Sequence, residues 1–309
     1  MSEENRKPVL PDVSVVIPTL GRPILEGSLA AIEAGSRWPA AVVVVDQGQS
    51  EEVARMARAF SDRGLNVVHV PSAERGRARG VNRGIERIDT RFFAVTDDDC
   101  FAEGRWVEAL TLRLREEPGA IVTGRVEAPE GGHLAFTVRS RDGFMQRKPR
   151  LTFDSLSGGN MAAARQLIVD LGMLDEAEYV KTAEDGELAY RALRAGIPLV
   201  FEPEAGVLHM DWRDEAQRAV QYGSYARSHG GFYGKYLRRG DLFIALRFAV
   251  HWTRAARRWL RGTLTGNRSQ AEIGRAYALG LVGGVVTGWK QSAALVEGVH
   301  DPKAPRSSS

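Results

Sequence analysis

Two short runs of apolar, mostly β-branched residues constrain the fold of this chain more than any other feature. They lie at residues 13–17 and 41–45; Pro18-Thr19 ends the first and Asp46 ends the second. Continuous apolar runs of this length are typical of parallel strands that are buried on both faces. Between them Leu25, Leu29 and Ile32 recur at helical spacing, after Pro23. The pattern therefore predicts a strand–helix–strand unit.

The same alternation continues along the chain. Helices are predicted over 51–61, 78–88 and 184–195, and strands over 67–70, 92–95, 199–201 and 206–208. Residues 131–151 are polar and irregular, which indicates a loop. Strands that alternate with helices predict an α/β domain whose parallel strands are joined by right-handed crossovers. Ligands of such sheets bind at the carboxyl ends of the strands, here at Thr19, Asp46 and Asp97.

The charge distribution divides the chain near residue 215. Residues 1–215 hold 27 Lys+Arg against 35 Asp+Glu, whereas residues 216–309 hold 15 against 4. The net charge of +3 is therefore a cancellation. Helices are predicted over 216–239, 241–261 and 273–297, so the domain prediction is a tail (1–11), a catalytic domain (12–215), a helical region (216–300) and a disordered tail (301–309). Basic segments favour partners that bear phosphate.

Cysteine content and apolar runs indicate a cytoplasmic protein. Cys100 is the only cysteine, which leaves no intrachain disulfide and no thiol-rich metal site. The first 11 residues lack the apolar core of a secretory signal. The longest apolar run, 276–289, is shorter than the roughly 20 residues that span a bilayer.

The strongest chemical signal is Thr96-Asp97-Asp98-Asp99-Cys100, which directly follows a predicted strand. Adjacent carboxylates repel one another, and hard oxygen ligands suit Mg²⁺ or Mn²⁺. If the strand continues, Asp97 and Asp99 point the same way. The alternative is an acidic turn without a metal.

Four other candidates each have a structural alternative. Glu184-Asp185 stands at a helix start, where carboxylates also serve as caps. His209 is a metal ligand or a structural histidine, and the glycines of 157–160 allow close backbone approach or form a plain turn. Four arginines around a helix start recognise phosphate or form a solvated basic face. These are Arg75, Arg77, Arg79 and Arg83.

Seven motifs in order give the chain a resemblance to a known family. They are VSVVIPT at 13–19, VD at 45–46, RGVNRG at 79–84, TDDDC at 96–100 with Trp106, SGGNM at 157–161, EDGEL at 184–188 with Arg191, and PEA at 203–205 leading to His209. Together they resemble a family 2 glycosyltransferase of the GT-A fold, over about residues 12–212. The resemblance implies a Rossmann-like mixed sheet flanked by helices, followed here by a C-terminal helical extension.

The resemblance also implies roles for individual residues. Asp99 and His209 would hold Mg²⁺ or Mn²⁺, and Asp185 would be the general base, with Glu184 beside it. Residues implied to bind the donor nucleotide are Pro18, Thr19, Asp46, Arg79, Asn82, Asp97 and Asp98. Residues implied to border the donor sugar and acceptor are Gly159, Asn160, Trp106 and Arg191.

The function implied is inverting transfer of a sugar from a nucleotide-diphosphate donor to a glycan or lipid-linked acceptor. The chain lacks the Gln-x-x-Arg-Trp motif of processive synthases, which favours one sugar per encounter. It departs from many relatives at 46–49, where Asp-Gln-Gly-Gln stands in place of Asp-Asp-Gly-Ser. One alternative is a nucleotidyltransferase, an enzyme class that normally has a glycine-rich, lysine-bearing phosphate loop. The other is a non-catalytic nucleotide- or nucleic-acid-binding protein. Nucleic acid is not the expected partner, and oligomeric state is not predicted.

The predicted helix at 241–261 has an aromatic stripe beside a basic one. Phe248, Trp252, Ala255 and Trp259 recur at helical spacing, next to an arginine-rich face. One interpretation is peripheral contact with the inner face of the cell membrane. The other is that the aromatic stripe packs on the catalytic domain while the arginines lie in water.

Overall fold

A computed structural model describes residues 7–130, 140–210 and 215–292, with the side chains of 215–220 left out. The predicted tail at 301–309 and most of the tail at 1–11 lie outside this range. The chain divides into two compact units. The first comprises residues 1–176 and 184–214, and the second comprises 177–183 and 215–309.

The first unit is built on one mixed sheet, whose strand order is β3-β2-β1-β4-β8-β6-β9-β5, with β7 paired to β9. Strands β1 to β4 are parallel neighbours, and β8 runs antiparallel to both β4 and β6. The strands are β1 (Val9–Thr19), β2 (Trp38–Asp46), β3 (Val67–Pro71), β4 (Phe92–Thr96), β5 (Cys100–Ala102), β6 (Ile121–Glu127), β7 (Phe144–Gln146), β8 (Asn160–Ala164) and β9 (Leu199–His209). The helices are α1 (Leu25–Ala34), α2 (Glu51–Asp62), α3 (Arg77–Glu86), α4 (Trp106–Glu116), α5 (Arg165–Asp170) and α6 (Glu184–Arg194). The predicted α/β class and the alternation of its first four strands are confirmed.

Two sequence predictions about strands need correction. The short strands predicted at 199–201 and 206–208 are one strand, β9, because a register shift against β6 absorbs the intervening residues. The irregular segment predicted at 131–151 contains β7, which pairs antiparallel with β9. Residues 131–139 of that segment lie outside the described range.

The sheet is buried on both faces, as continuous apolar strands require. Successive side chains of a strand point to opposite faces, so Val15 and Ile17 of β1 join one core while Val16 joins the other. Helices α1, α2 and α4 cover the first core, and α3, α5 and α6 cover the second. With both faces covered, polar side chains gather at the strand ends.

The second unit consists of three long helices and a 3₁₀ turn at Glu178–Val180. The helices are α7 (Glu215–Leu237), α8 (Leu242–Leu264) and α9 (Arg268–Gln291). Glycines let α7 and α9 approach closely, since a Cβ on Gly284 of α9 would overlap the carbonyl of Arg227 in α7. The Asp241 carboxylate caps α8 by accepting hydrogen bonds from the backbone of Phe243 and Ile244. Among the described residues, no helix combines the length and apolar content that crossing a membrane requires.

Candidate active site

The acidic motif forms a turn at the carboxyl end of β4. The strand ends at Thr96, and the Cys100 amide donates to the Asp97 carbonyl at 3.0 Å. The expectation that Asp97 and Asp99 continue one strand face is therefore wrong. Each of the three carboxylates instead faces a different set of partners.

Asp98 points into the protein and binds the end of β1. Its side chain is buried; it accepts a hydrogen bond from Thr19 Oγ1 at 2.6 Å and pairs with the Arg22 guanidinium. Burial raises the pKa of Asp98, against the effect of Arg22 and Thr19. Arg22 also lies 3.4 Å from Asp99 Oδ2, so one arginine serves two of the acids. The structure thus gives Asp98, which was expected to contact a nucleotide, a set of internal partners.

Asp97 is a quarter exposed and pairs with Arg77. The Arg77 Nε donates to Asp97 Oδ1 at 2.7 Å, and its Nη1 donates to Glu184 Oε1 at 3.1 Å. Glu184 is buried, and this burial raises its pKa to about 7 although Arg77 opposes the shift. The same carboxylates hold the pKa of Arg77 above its ordinary value despite its burial. Arg77 therefore links the acidic turn to the start of α6.

Asp185 lies beside this pair and remains half-buried. Its Oδ2 accepts a hydrogen bond from the backbone amide of Gly158 at 2.9 Å. A Cβ at position 158 would lie 2.9 Å from Arg77 Nη1, so the glycine gives the arginine head room. A Cβ on Gly159 would lie 2.9 Å from Asp97 Oδ2. The Gly158-Gly159 turn therefore brings its backbone against the acidic turn and α6 together.

Asp99 and His209 form the best place for a divalent cation. Strand β5 pairs Cys100 with His209, and His209 Nε2 lies 3.7 Å from Asp99 Oδ1. The His209 Nδ1 atom is buried and has no hydrogen-bond partner among the described atoms. Asp99, Cys100 and His209 can bring three ligand atoms within 4.8 Å of one another.

The donor set fits Mn²⁺ or Mg²⁺ through its carboxylate and imidazole. Cys100 does not add to that fit, since burial raises the pKa of its thiol well above the ordinary value. A protonated thiol is a poor ligand. The residues that fit are thus Asp99 and His209, the pair expected from the sequence.

The carboxylate of Asp46, at the end of β2, is fully buried. It accepts hydrogen bonds from the amides of Gly48 at 3.0 Å and Ser50 at 2.7 Å, and it lies 3.1 Å from His69 Nε2. Gln47, which stands where many relatives have Asp, donates hydrogen bonds from its side-chain amide to the carbonyls of Glu74 and Gly76. The departure from the usual motif thus fastens the loop after β2 to the start of α3.

Four of the predicted contact residues have internal partners instead of an open face. Trp106 is buried and donates to Asn160 Oδ1 at 2.8 Å, and Asn160 in turn donates to the carbonyls of Arg125 and Ala205. The Asn82 amide bonds the backbone of Leu174. Arg191 donates to the carbonyls that follow α5, those of Leu171 and Met173. These side chains stabilise the framework around the strand ends.

Two further predicted residues lie close to the same edge. Pro18 is buried against α3, where a Cβ on Gly80 would lie 2.7 Å from the proline ring. Arg79 is more than a third exposed and donates to the Arg75 carbonyl at 3.0 Å. Of these two, Arg79 has a guanidinium that a ligand can reach.

Sequence reasoning did not single out Arg22, and it considered Arg77 only as one of four arginines that recognise phosphate or form a solvated face. Both lie next to the motifs that carry the resemblance but outside them. The signal that points to them is electrostatic, because four carboxylates gathered at one sheet edge need cations nearby. Only two arginines of the described first unit, Arg22 and Arg77, pair with the Asp97–Asp99 turn.

A mixed sheet with an acidic turn after its fourth strand, a facing histidine and a carboxylate at the start of a later helix defines a GT-A type glycosyltransferase domain. The model of the family described as "Glycosyltransferase like family 2" matches residues 11–223. The chain belongs to this family.

Two curated relatives are similar to this chain. A pre-mycofactocin glycosyltransferase of Mycobacterium tuberculosis is 28% identical over 228 residues, which are 70% of this chain and 47% of that protein. A glucosyl-dolichyl phosphate glucuronosyltransferase of Haloferax volcanii is 30% identical over 121 residues, 38% of this chain and 39% of that protein. The chain thus spans less than half the length of the curated relatives it matches.

Solved structures show the same fold. The mannosyltransferase PcManGT of Pyrobaculum calidifontis, in complex with GDP-Man and Mn²⁺, matches with a TM-score of 0.58 at 16% identity, over 94% of this chain and 86% of that one. GalNAc-T7 with UDP, GalNAc and Mn²⁺ matches with a TM-score of 0.55 at 18% identity, over 76% of this chain and 51% of that one. The predicted GT-A fold is confirmed.

Proposed function

We propose that this protein is a metal-dependent, inverting glycosyltransferase that moves one sugar from a nucleotide-diphosphate donor to a hydroxyl of a glycan or lipid-linked acceptor. The observation that carries the proposal is the pairing of Asp99 with His209 beside the turn of Gly158 and Gly159, whose backbone also binds Asp185. The Asp99–His209 pair suits a cation, and the Asp185 carboxylate suits the role of proton acceptor. Family membership and the GT-A fold support this assignment.

Asp99 and His209 would hold the divalent cation. When bound there, the cation offsets the charge that develops on the diphosphate leaving group. The imidazole of His209 favours Mn²⁺ over Mg²⁺, since Mg²⁺ prefers oxygen ligands. Asp97 and the exposed guanidinium of Arg79 would contact the nucleotide. The buried Thr19 and Asp46 would hold the strand ends and the loop after β2 in place beside it.

Asp185 is the proposed base. It is half-buried and accepts two amide hydrogen bonds, from Gly158 on Oδ2 at 2.9 Å and from Gly186 on Oδ1 at 2.7 Å. These bonds orient the carboxylate, and each oxygen keeps a lone pair for an acceptor hydroxyl. The hydroxyl oxygen attacks the anomeric carbon, its proton passes to Asp185, and the bond to the diphosphate breaks. One such displacement inverts the anomeric centre. Glu184 is too buried to meet an acceptor and instead orients Arg77, so we assign it a positioning role.

We place the enzyme in the cytoplasm, in contact with the inner face of the membrane through residues 241–261. A lipid-linked acceptor would be held at that surface. The Mycobacterium tuberculosis and Haloferax volcanii relatives act, by their names, on different acceptors, so the acceptor class for this chain is proposed from its basic helical region alone.

A thermal-shift screen tests the proposal. The purified chain is melted with UDP-, GDP- and dTDP-sugars, with and without Mn²⁺. We expect one nucleotide class to raise the melting temperature only when Mn²⁺ is present, because binding to the native state alone stabilises it. Asp99→Ala should abolish the Mn²⁺-dependent part, whereas Asp89→Ala, which changes an exposed acid, should retain it. An unchanged Mn²⁺-dependent shift in Asp99→Ala would reject Asp99 as a ligand.

A further inference from the structure

Helix α8 presents an apolar face to solvent. Four leucines are more than half exposed, at 83% for Leu242, 53% for Leu246, 60% for Leu260 and 77% for Leu264. An α-helix turns about 100° per residue, so positions 18 apart lie about five full turns apart and point the same way. Leu242 with Leu260, and Leu246 with Leu264, are two such pairs. The four side chains therefore lie on one outward stripe, two near each end of the helix, with Ala249 and Thr253 between the pairs.

The inward face of α8 is made mostly of small and polar residues. Its buried residues are Ile244, Arg247, His251, Ala255 and Gly262, which pack towards the rest of the second unit. Gly262 and Gly274 let α8 and α9 touch closely, since a Cβ on either would overlap the backbone of the other helix. Trp252 and Trp259 are exposed, so the two tryptophans are not part of this inward face.

Tryptophans and arginines flank the leucine stripe on opposite sides. Trp252 and Trp259 lie roughly 100° from it in one direction, and Arg254 and Arg261 roughly 90° in the other. All four residues are exposed, and so is Arg257 at the edge of the stripe. This order of an apolar centre with aromatic and basic flanks is that of a helix which lies in a membrane interface.

We propose that this outward face of α8 docks on an anionic lipid bilayer, with the helix axis parallel to the surface and the leucines inserted below the headgroups. Residues 242–264 contain five arginines and no Asp or Glu, which complements a negative surface. Helix α9 has an exposed apolar stripe of its own, at Leu279, Val282 and Val286. The inference extends the proposed membrane contact of residues 241–261.

A bilayer fits this face better than a protein or nucleic-acid partner. In an antiparallel symmetric dimer the arginine flank of one copy would meet that of the other, without an acid in α8 to relieve the repulsion. A protein surface that binds nucleic acid needs basic groups at the centre of the contact, whereas the centre of this face is leucine.

Vesicle sedimentation of the full chain tests the docking. Phosphatidylcholine vesicles with about 30% phosphatidylglycerol are compared with pure phosphatidylcholine. We expect binding to the anionic vesicles that weakens with salt, and far weaker binding to the neutral ones. Replacing Leu242, Leu246, Leu260 and Leu264 with Gln should lower the partition coefficient by about 100-fold or more, because each buried leucine contributes. Replacing Arg254, Arg257 and Arg261 with Gln should lower it on the order of 100-fold.

A matched control removes the same charge elsewhere. Arg55, Arg58 and Arg87 are exposed on the first unit, and their replacement with Gln should leave vesicle binding nearly unchanged. Circular dichroism and melting of every variant show whether it is folded. All α8 substitutions lie at exposed positions, so they should fold.

Several results would overturn the inference. Equal binding to neutral and anionic vesicles would overturn it. Unchanged vesicle binding of the folded leucine variant would also overturn it. A dimer in sedimentation velocity that the leucine variant abolishes, without vesicle binding, would assign the face to a second copy instead. Because binding is measured without sugar transfer, failure here is distinct from failure of the transferase proposal.

Discussion

The guanidinium of Arg77 lies between the carboxylates of Asp97 and Glu184, at 2.7 Å and 3.1 Å. Asp97 follows β4 and Glu184 begins α6, so one cation joins two elements that are 87 positions apart in the chain. Its third nitrogen, Nη2, is buried without a hydrogen-bond partner among the described atoms. The contact fixes the acidic turn beside the proposed base.

Loss of Arg77 should therefore destabilise the fold. Arg77→Ala leaves Glu184 buried without its cation, and breaking a buried ion pair costs about 3–5 kcal/mol, so we expect about 2–3 kcal/mol at this partly exposed site. Arg83→Ala, on the same helix, removes an exposed pair with Glu86 and should cost less than about 0.5 kcal/mol. Urea denaturation measures both. Equal losses would show that Arg77 has no special role.

Glu184 should make stability depend on pH near neutrality. Its folded pKa is about 7, raised by burial from an ordinary value of 4.5. Between these values the folded state holds a proton that the unfolded state has lost. The resulting stabilisation is fully present below about pH 4.5 and is lost as the pH rises through 7.

Comparison with Glu184→Gln isolates that contribution, since glutamine does not titrate. We expect the free energy of unfolding of the wild type, relative to this variant, to fall between about pH 4.5 and pH 7.5. Glu178→Gln, which changes an exposed carboxylate, serves as the control and should track the wild type. Parallel curves for Glu184→Gln and the wild type would contradict a raised pKa.

Asp185→Asn should separate donor binding from transfer. Removal of a general base lowers the rate by about 10²–10⁴-fold, whereas the Asn amide keeps the size of the side chain. We expect the Mn²⁺-dependent thermal shift with the donor to persist while the rate of transfer collapses. Asp170→Asn, at an exposed acid, should keep the wild-type rate. Transfer at the wild-type rate in Asp185→Asn would place the base elsewhere.

Gly159 should tolerate no side chain. A Cβ there would lie 2.9 Å from Asp97 Oδ2 and 3.2 Å from Cys100 Sγ, both in the acidic turn. Gly159→Ala should cost about 1–3 kcal/mol in stability, as overpacking usually does. Gly104→Ala has open space around its Cβ and should change stability little. Chemical denaturation of the two variants checks this, and equal stability would refute the close approach.

Local pattern was enough to predict which strand ends lie together at one edge of the sheet. The apolar runs that end at Thr19, Asp46 and Thr96 are buried strands, and parallel pairing places their carboxyl ends together. The residue at the end of each apolar run was therefore correctly predicted to lie at the end of a strand. The acidic motif and His209 came together because β5 pairs with β9.

Contacts between distant segments were not predictable in the same way. Which acid Arg77 meets depends on the approach of α3 to α6, 107 positions away, and periodicity within either helix does not report it. The inward face of α8 is a second case. Of the predicted stripe of Phe248, Trp252, Ala255 and Trp259, only Ala255 is among the buried residues of α8. Close helix contact buries it together with Gly262, and the tryptophans stay exposed.

The packing of α7 on α9 gives the last prediction. Gly284 of α9 faces the backbone of α7, and a Cβ there would overlap the carbonyl of Arg227. Gly283, one position earlier, has nothing within 4 Å of a Cβ. Gly284→Ala forces two helix backbones apart, which should cost at least the 1–3 kcal/mol of ordinary overpacking.

Gly283→Ala should instead be neutral or stabilise the protein by up to about 1 kcal/mol, because alanine is the better helix former. The two variants add the same methyl group to the same helix, so their difference reports the interhelical contact alone. Thermal and urea denaturation, followed by the helical signal in circular dichroism, measure it. If the two variants are equally stable, α7 and α9 do not approach at Gly284 as closely as the backbone of Arg227 requires.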